Sequence, residues 1–164
     1  MYGQLVTEPR LTGDRTSPSA PGVPELVATM AQQLDNYYHR RFTSMFCNYY
    51  RDGADSVAWH ADRVGRYQVD PLVAIVSLGG PRTFRMRPMV TDLENRDTSR
   101  AENVSTAWQL YPGDLLIMGG ATQHHWLHTV PKTRRAVNPR MSVTLRTVES
   151  PQPDRPGPHY INIS

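Results

Sequence analysis

The residues with the clearest chemical potential are a histidine and an aspartate two positions apart. His60 and Asp62 lie in the segment Trp59-His60-Ala61-Asp62. Side chains at positions i and i+2 of a β-strand point to the same face, so both could bind one metal ion. A third ligand would have to come from a distant part of the chain. The run 123–128 offers His124, His125 and His128 as alternatives.

Two histidines and one carboxylate on one face of a metal ion are typical of non-haem Fe(II) oxygenases. The open coordination positions of such a site can take a bidentate 2-oxo acid and O2. A zinc hydrolase could use the same types of ligand. A His-x-Asp pair also occurs by chance, as an ion pair on the protein surface. The spacing by itself leaves these alternatives open.

A polar face of the last predicted strand favours a site for an anion. Arg140, Ser142, Thr144 and Arg146 alternate with apolar residues, so these four side chains share one face. Two arginines inside a β-barrel would be costly unless an anion neutralised them. A dicarboxylate cosubstrate is such an anion, because arginine binds carboxylates through two parallel hydrogen bonds. Alternatively, this polar face lies outside, in water.

The charge distribution also indicates an anionic partner. The 164-residue chain carries a formal net charge of +3. Residues 115–148 contain no Asp or Glu but five Lys and Arg residues. Such a stretch suits a carboxylate, a phosphate or a nucleic acid. A solvated basic surface would have the same composition.

The cysteine content and the hydropathy pattern predict an intracellular protein, cytoplasmic in a bacterium or nuclear in a eukaryote. Cys47 is the only cysteine, so no disulfide can form within the chain, which fits a reducing compartment. No run of about 18 apolar residues would form a transmembrane helix. The N-terminus lacks the basic and then apolar pattern of a signal peptide. We therefore expect neither a membrane nor an obligate protein partner.

The periodicity predicts one helix followed by a mainly β fold. Apolar residues at helical spacing indicate a helix over 24–39. The interval 91–106 is polar and is predicted to be a loop insertion. About eight short strands in one small domain suggest a β-sandwich or jelly roll. These strands are predicted at 43–50, 56–60, 72–78, 82–87, 107–111, 114–118, 124–130 and 140–148.

Six motifs stand in a recognisable order between about residues 43 and 147. They are Asn48-Tyr49-Tyr50-Arg51-Asp52-Gly53, Trp59-His60-Ala61-Asp62, Val73-Ala74-Ile75-Val76-Ser77-Leu78-Gly79, Pro112-Gly113-Asp114-Leu115-Leu116, Trp126-Leu127-His128 and the segment 139–146. In this order they resemble the AlkB family of Fe(II)/2-oxoglutarate-dependent dioxygenases, which repair alkylated nucleobases. The resemblance implies a double-stranded β-helix, that is, a jelly-roll dioxygenase core with a flanking helix.

The resemblance also implies a role for each matching residue. His60, Asp62 and His128 would bind Fe(II), which selects His128 among the three candidate histidines. The ligands of 2-oxoglutarate would come from the strands on the other side of the site. These ligands would be Asn48, Tyr50, Arg140, Ser142 and Arg146, with Ser142 standing where relatives often carry Asn.

By resemblance, the reaction is the oxidative demethylation of N-alkylated bases in DNA or RNA. It would consume O2 and 2-oxoglutarate and release formaldehyde, succinate and CO2. A base inside a duplex is inaccessible, so it would be flipped out or already single-stranded. Nucleic-acid contacts are predicted for Arg10, Trp59, Arg63 and Arg85.

The resemblance predicts three regions and leaves two alternatives for the substrate. Residues 1–23 would form a partial nucleotide-recognition lid, 24–149 the dioxygenase domain and 150–164 a C-terminal tail. The lid is short, and Val64 occupies a position that is acidic in many relatives. A dioxygenase of the same fold acting on a protein or a small molecule is therefore one alternative. A nucleic-acid-binding module without catalysis is the other.

Overall fold

Two antiparallel β-sheets face each other in this computed structural model, which describes residues 10–62, 70–89 and 105–147. The elements of the described chain follow one another in a simple order. They are β1 (Leu11–Thr12), α1 (Glu25–Tyr38), β2 (Phe42–Tyr50), β3 (Val57–His60), β4 (Val73–Gly79), β5 (Arg82–Pro88), β6 (Thr106–Leu110), β7 (Leu115–Met118), α2 (Ala121–His125), β8 (Trp126–Val130) and β9 (Arg140–Thr147).

The strand order places the predicted ligands on opposite sheets. The larger sheet has the order β1-β2-β9-β4-β7, and the smaller sheet has the order β3-β8-β5-β6. The strands β3 and β8, which carry the histidines of the predicted metal site, are neighbours in the smaller sheet. The strands β2 and β9, which carry the predicted 2-oxoglutarate ligands, pair in the larger sheet. The predicted jelly-roll architecture is confirmed.

The two sheets pack on each other through an apolar core. Buried side chains from both sheets form this cluster, including Val73 and Met118 from the larger sheet and Phe84 and Val130 from the smaller one. The helix α1 covers the outer face of the larger sheet through a second cluster. Burial on both faces holds β9 firmly in place, so the polar residues on its inner face have defined positions.

Most predicted elements match the structure, with one clear correction. The predicted strand over 124–130 is wrong at its start, because His124 and His125 belong to the short helix α2 and the strand begins at Trp126. The helix predicted over 24–39 spans Glu25–Tyr38. Thr106, assigned to the loop insertion, begins β6, and the described chain resumes only at residue 105.

The described part of the chain contains no helix that is long and apolar enough to cross a membrane.

Candidate metal centre and anion pocket

The three predicted metal ligands meet at one end of the space between the sheets. His60, at the end of β3, lies directly opposite His128 in β8, and Asp62 follows two residues later. Each of the three offers a ligand atom, and these atoms all lie within 4.8 Å of one another. Asp62 and His128 are 5% and 6% exposed. Two imidazoles and a carboxylate at this spacing fit a single divalent ion such as Fe(II).

The hydrogen bonds and the burial of the two histidines favour metal binding. The Nδ1 atom of His60 lies 2.8 Å from the carbonyl oxygen of Ala58. A carbonyl only accepts, so Nδ1 donates and the lone pair is left on Nε2. Burial, followed by the proximity of His60, lowers the pKa of His128 to about 4. Its imidazole is therefore neutral at physiological pH, which is the form that binds metals.

Arg146 connects the metal site to the larger sheet. Its Nη2 atom donates to Oδ1 of Asp62, and the arginine is only 3% exposed. Among the described residues, its buried Nε and Nη1 atoms have no hydrogen-bond partner. Its guanidinium also lies 4.5 Å from the centre of the Phe46 ring. A buried guanidinium with unpaired N–H groups is costly, so this arrangement calls for an anionic ligand beside the metal.

Arg140 forms the far end of the same pocket. It is 1% exposed, and its Nε atom donates to the hydroxyl oxygen of Ser77 over 2.9 Å. Its guanidinium lies 5.3 Å from the centre of the Tyr50 ring. Burial raises the pKa of Tyr50, with Arg140 acting in the opposite direction. The Tyr50 hydroxyl therefore keeps its proton at neutral pH and can donate a hydrogen bond to an anion.

The position of Arg140 depends on a turn with little free space. The strand β4 ends at Gly79, just before the turn to β5, and Gly79 has a positive φ of 79°. A Cβ atom at Gly79 would lie 2.5 Å from the carbonyl oxygen of Pro139. A Cβ atom at Gly80 would collide with the carbonyl oxygen of Asn138. These two glycines allow the backbone just before Arg140 to lie against the turn.

Asn48 is oriented by the N-terminal segment. Its side-chain oxygen accepts hydrogen bonds from Arg10 Nε over 2.9 Å and from Thr12 Oγ1 over 3.2 Å. Because the carboxamide oxygen is directed towards these donors, the NH2 group faces away from them and can donate to an anion. Ser142 pairs with Asn48 across the sheet and is also buried.

A further buried arginine, which was not predicted as a site residue from the sequence, lies next to Tyr50. Arg82 is 3% exposed and donates to the carbonyl oxygens of Asp52, Asp55 and Pro131 over 2.8, 2.7 and 2.9 Å. Its guanidinium lies 5.5 Å from the centre of the Tyr50 ring. The Tyr50 ring thus has guanidiniums of two buried arginines, Arg82 and Arg140, as neighbours.

A cavity of about 690 Å³ joins these groups. Its lining contains all eight residues predicted to hold the metal and 2-oxoglutarate, together with Arg10. Several other lining residues were not predicted from the sequence. Phe46 could have been, because it alternates with Asn48 and Tyr50 on one face of β2. The missed residues include Thr12, Arg15, Phe46, Ile75 and Phe84.

Two of the predicted nucleic-acid contacts lie outside the cavity lining. The Trp59 ring has Arg85 and Arg87 as cation–π neighbours at 5.8 and 4.5 Å. Arg85 also donates to the hydroxyl of Ser105. Arg63 lies outside the described residues. The nucleic-acid contacts of these residues and of Arg10 stay predictions.

Comparisons with known proteins agree with this geometry. The family model described as the 2OG-Fe(II) oxygenase superfamily matches residues 7–153. The chain is 40% identical over 148 residues to the alpha-ketoglutarate-dependent dioxygenase alkB homolog 3 of Mus musculus, covering 90% of this chain and 50% of that protein. It is 34% identical over 122 residues to the DNA oxidative demethylase ALKBH2 of Arabidopsis thaliana, covering 66% and 38%. The predicted resemblance to the AlkB family is confirmed.

One solved structure is similar to this chain in fold, at low sequence identity. The structure of OsALKBH1 aligns with a TM-score of 0.51 at 19% identity, covering 78% of this chain and 67% of that one. The chain spans about half the length of alkB homolog 3 of Mus musculus.

Proposed function

Because the chain belongs to the 2OG-Fe(II) oxygenase superfamily, we propose that it is a 2-oxoglutarate-dependent oxidative demethylase of alkylated bases in DNA or RNA. The observation that carries this proposal is the contact between Asp62 and Arg146. It joins the carboxylate of a proposed metal ligand to a buried guanidinium whose Nε and Nη1 atoms have no hydrogen-bond partner in the described part of the chain. A ligand that both chelates a metal and carries negative charge suits this position, and 2-oxoglutarate has both properties.

In this proposal the two ends of 2-oxoglutarate bind to different arginines. Arg146, beside Asp62, would bind the carboxylate nearest the metal. Arg140, held by Ser77, would pair with the distal carboxylate, with Tyr50 donating a further hydrogen bond. Asn48 would donate through its NH2 group. These groups are held in place before the ligand arrives, which lowers the entropy cost of binding.

The metal would be held by His60, Asp62 and His128. When bound, Fe(II) would supply the oxidising chemistry, with O2 consumed and 2-oxoglutarate converted to succinate and CO2. The chain itself provides orientation and a shielded cavity. Phe84 stacks on the His128 ring at 5.5 Å, which limits the positions that the imidazole can adopt. Insertion of one oxygen atom of O2 into a C–H bond of the N-methyl group would give an N-hydroxymethyl group. Its C–N bond would then break, with the hydroxyl proton passing to the base, to release formaldehyde and the restored base.

The substrate class rests on the relatives and on the enclosed position of the site. One relative is named a DNA oxidative demethylase. The metal ligands lie inside a cavity, so a modified base would have to leave its stack to reach them. Arg10, Trp59, Arg63 and Arg85 are proposed to contact the nucleic acid. A nucleic-acid substrate and a single cysteine fit an intracellular location.

Substrate-dependent turnover tests the proposal directly. The purified chain would be given Fe(II), 2-oxoglutarate and single- or double-stranded oligonucleotides with methylated adenine or cytosine, and formaldehyde and succinate would be measured. The matched control is the same oligonucleotide without the methyl group. We expect both products in equal amounts, and only with the methylated substrate. Succinate formation that is unaffected by every methylated oligonucleotide would favour a protein or small-molecule substrate.

A further inference from the structure

The N-terminal segment forms a wall of the cavity because it is hydrogen-bonded along β2. The backbone of Thr16 exchanges two hydrogen bonds with Met45, over 3.0 and 2.8 Å. The backbone nitrogen of Gly13 donates to the carbonyl oxygen of Cys47 over 2.9 Å. Arg15 stands between these two anchors, so the position of its backbone is defined. Its side chain is exposed and lines the cavity, which places it at the mouth.

Arg15 shares an aromatic neighbour with the buried arginine of the metal site. Its guanidinium carbon lies 5.5 Å from the centre of the Phe46 ring, and that of Arg146 lies 4.5 Å from the same point. Two positively charged groups thus share one ring as a neighbour, and an anion near Arg15 would offset the repulsion between them.

The charges of the cavity lining are not balanced by the proposed metal and cosubstrate. Without counting Arg10, the lining has three arginines, Arg15, Arg140 and Arg146, against one carboxylate, Asp62. The two positive charges of Fe(II) and the two negative charges of 2-oxoglutarate cancel each other. An excess of positive charge therefore remains for the substrate. Arg140 and Arg146 are buried, where they would bind the proposed cosubstrate, whereas Arg15 is exposed at the mouth.

We propose that Arg15 binds the phosphodiester group next to the modified base, so that the site selects a nucleotide within a strand over a free nucleoside. This inference rests on the proposed function. Among the described residues, no carboxylate lies within salt-bridge distance of Arg15. Its guanidinium contacts the Phe46 ring. A phosphodiester suits this position because it remains anionic at neutral pH and accepts two hydrogen bonds from a guanidinium. The contact with the Phe46 ring does not use the guanidinium N–H groups as hydrogen-bond donors to an anion, so they remain available for one.

The test compares two substrates that differ in the phosphate. One is a short single-stranded oligonucleotide with one N-methylated base, and the other is the corresponding N-methylated nucleoside. For Arg15→Ala we expect KM for the oligonucleotide to rise about tenfold, the loss of one charge-assisted contact. KM for the nucleoside should change less than about twofold. Arg15→Lys should recover part of the loss, because it keeps the charge.

The control variant removes an arginine from another part of the surface. Arg41 is exposed and lies just before β2, outside the cavity lining, where it pairs with Asp35. Arg41→Ala should leave both KM values unchanged. Binding of 2-oxoglutarate to the Fe(II)-loaded protein, measured by calorimetry, should be unchanged in Arg15→Ala. An equal effect of Arg15→Ala on both substrates, or no effect on either, would overturn the proposal.

Failure of the proposed function can be distinguished from failure of this inference. If the wild-type protein turns over neither substrate, the demethylase proposal fails. The role of Arg15 is then decided by binding, measured as the fluorescence anisotropy of a labelled methylated oligonucleotide. A Kd about tenfold weaker for Arg15→Ala than for Arg41→Ala supports the phosphate contact. Equal Kd values for the wild type and Arg15→Ala reject it.

Discussion

The guanidinium of Arg146 donates to the carboxylate of Asp62 across the space between the two sheets. These residues lie 84 positions apart in the chain, and both are almost fully buried. The hydrogen bond joins the two parts of the candidate site, since Asp62 is a proposed metal ligand and Arg146 lines the proposed anion pocket. Predictions for each part can therefore be tested separately and then compared.

Removal of the carboxylate should abolish metal binding. In Asp62→Ala the two histidines remain, but two neutral ligands hold a divalent ion far more weakly than the complete set. We expect loss of stoichiometric Fe(II) binding and of turnover, with iron content measured after equilibrium dialysis. Iron-dependent activity at the wild-type level in this variant would reject Asp62 as a ligand.

Removal of the buried guanidinium should act mainly on the cosubstrate. Arg146→Met keeps most of the side-chain volume and eliminates the unpaired N–H groups. We expect the Kd for 2-oxoglutarate, measured by calorimetry on the Fe(II)-loaded protein, to rise about thirty- to hundredfold, equivalent to about 2–3 kcal/mol. A Kd within twofold of the wild type would show that the anion does not bind to Arg146.

The hydroxyl of Ser77 should matter through Arg140. Ser77→Ala removes the acceptor of the Arg140 Nε proton without disturbing the strand. We expect KM for 2-oxoglutarate to rise about three- to tenfold, with little change in kcat, because one neutral acceptor for a charged donor contributes about 1 kcal/mol. Ser19→Ala, in an exposed loop, is the matched control. An unchanged KM would show that packing alone positions Arg140.

Arg82 is expected to act as a positioning residue for Tyr50. Arg82→Met would leave three carbonyl oxygens without their donor and lower the free energy of unfolding by about 2–4 kcal/mol. KM for 2-oxoglutarate should also rise, because the Tyr50 ring loses one of its two neighbouring guanidiniums. Arg82→Lys should recover part of the stability. If stability falls and the affinity for 2-oxoglutarate stays unchanged, Arg82 has only a structural role.

The turn that Arg82 binds should be sensitive to acid. Asp55 accepts three hydrogen bonds from Arg51, over 2.7 to 2.8 Å, and these hold its pKa at about 2 instead of 3.8. A lowered pKa in the folded state stabilises the fold above pH 3.8, and this contribution is lost as the pH falls towards 2.

Urea unfolding of the wild type and of Asp55→Asn at several pH values tests whether this stabilisation is lost as the pH falls. We expect the variant to be less stable at pH 7 and the difference to shrink between about pH 4 and pH 2. Asp14→Asn, at an exposed position, should show a smaller difference. A constant difference at all pH values would mean that the charge of Asp55 does not contribute.

Local periodicity was sufficient to predict the parts of the site that lie along single strands. Alternation along β9 predicted that Arg140 and Arg146 share one face, and the structure shows that this face is the inner one. The i, i+2 spacing predicted that His60 and Asp62 lie close together, and they do, although β3 ends at His60. The selection of His128 came from the resemblance. The short helix α2 was mistaken for a strand start because a brief run of residues before an apolar strand has no distinct period.

Contacts between distant segments explain what the sequence did not reveal. Arg82 follows the same alternation as the core residue Phe84, but its three acceptors come from two separate loops. Arg15 reaches the cavity because an irregular segment pairs with β2, and that segment has no strand-like pattern. Partners of this kind depend on the tertiary fold, so no local rule could have identified either arginine.

Gly80 carries no functional group, yet the placement of one end of the pocket depends on it. Any side chain there would push the backbone of Asn138 outwards, and Arg140 is only two residues further along the chain. A substitution at this position would leave every ligand residue intact in the sequence. Such a variant would resemble a general folding defect in an activity screen. Only separate measurements of thermal unfolding and anion affinity would reveal that a displaced guanidinium was the cause.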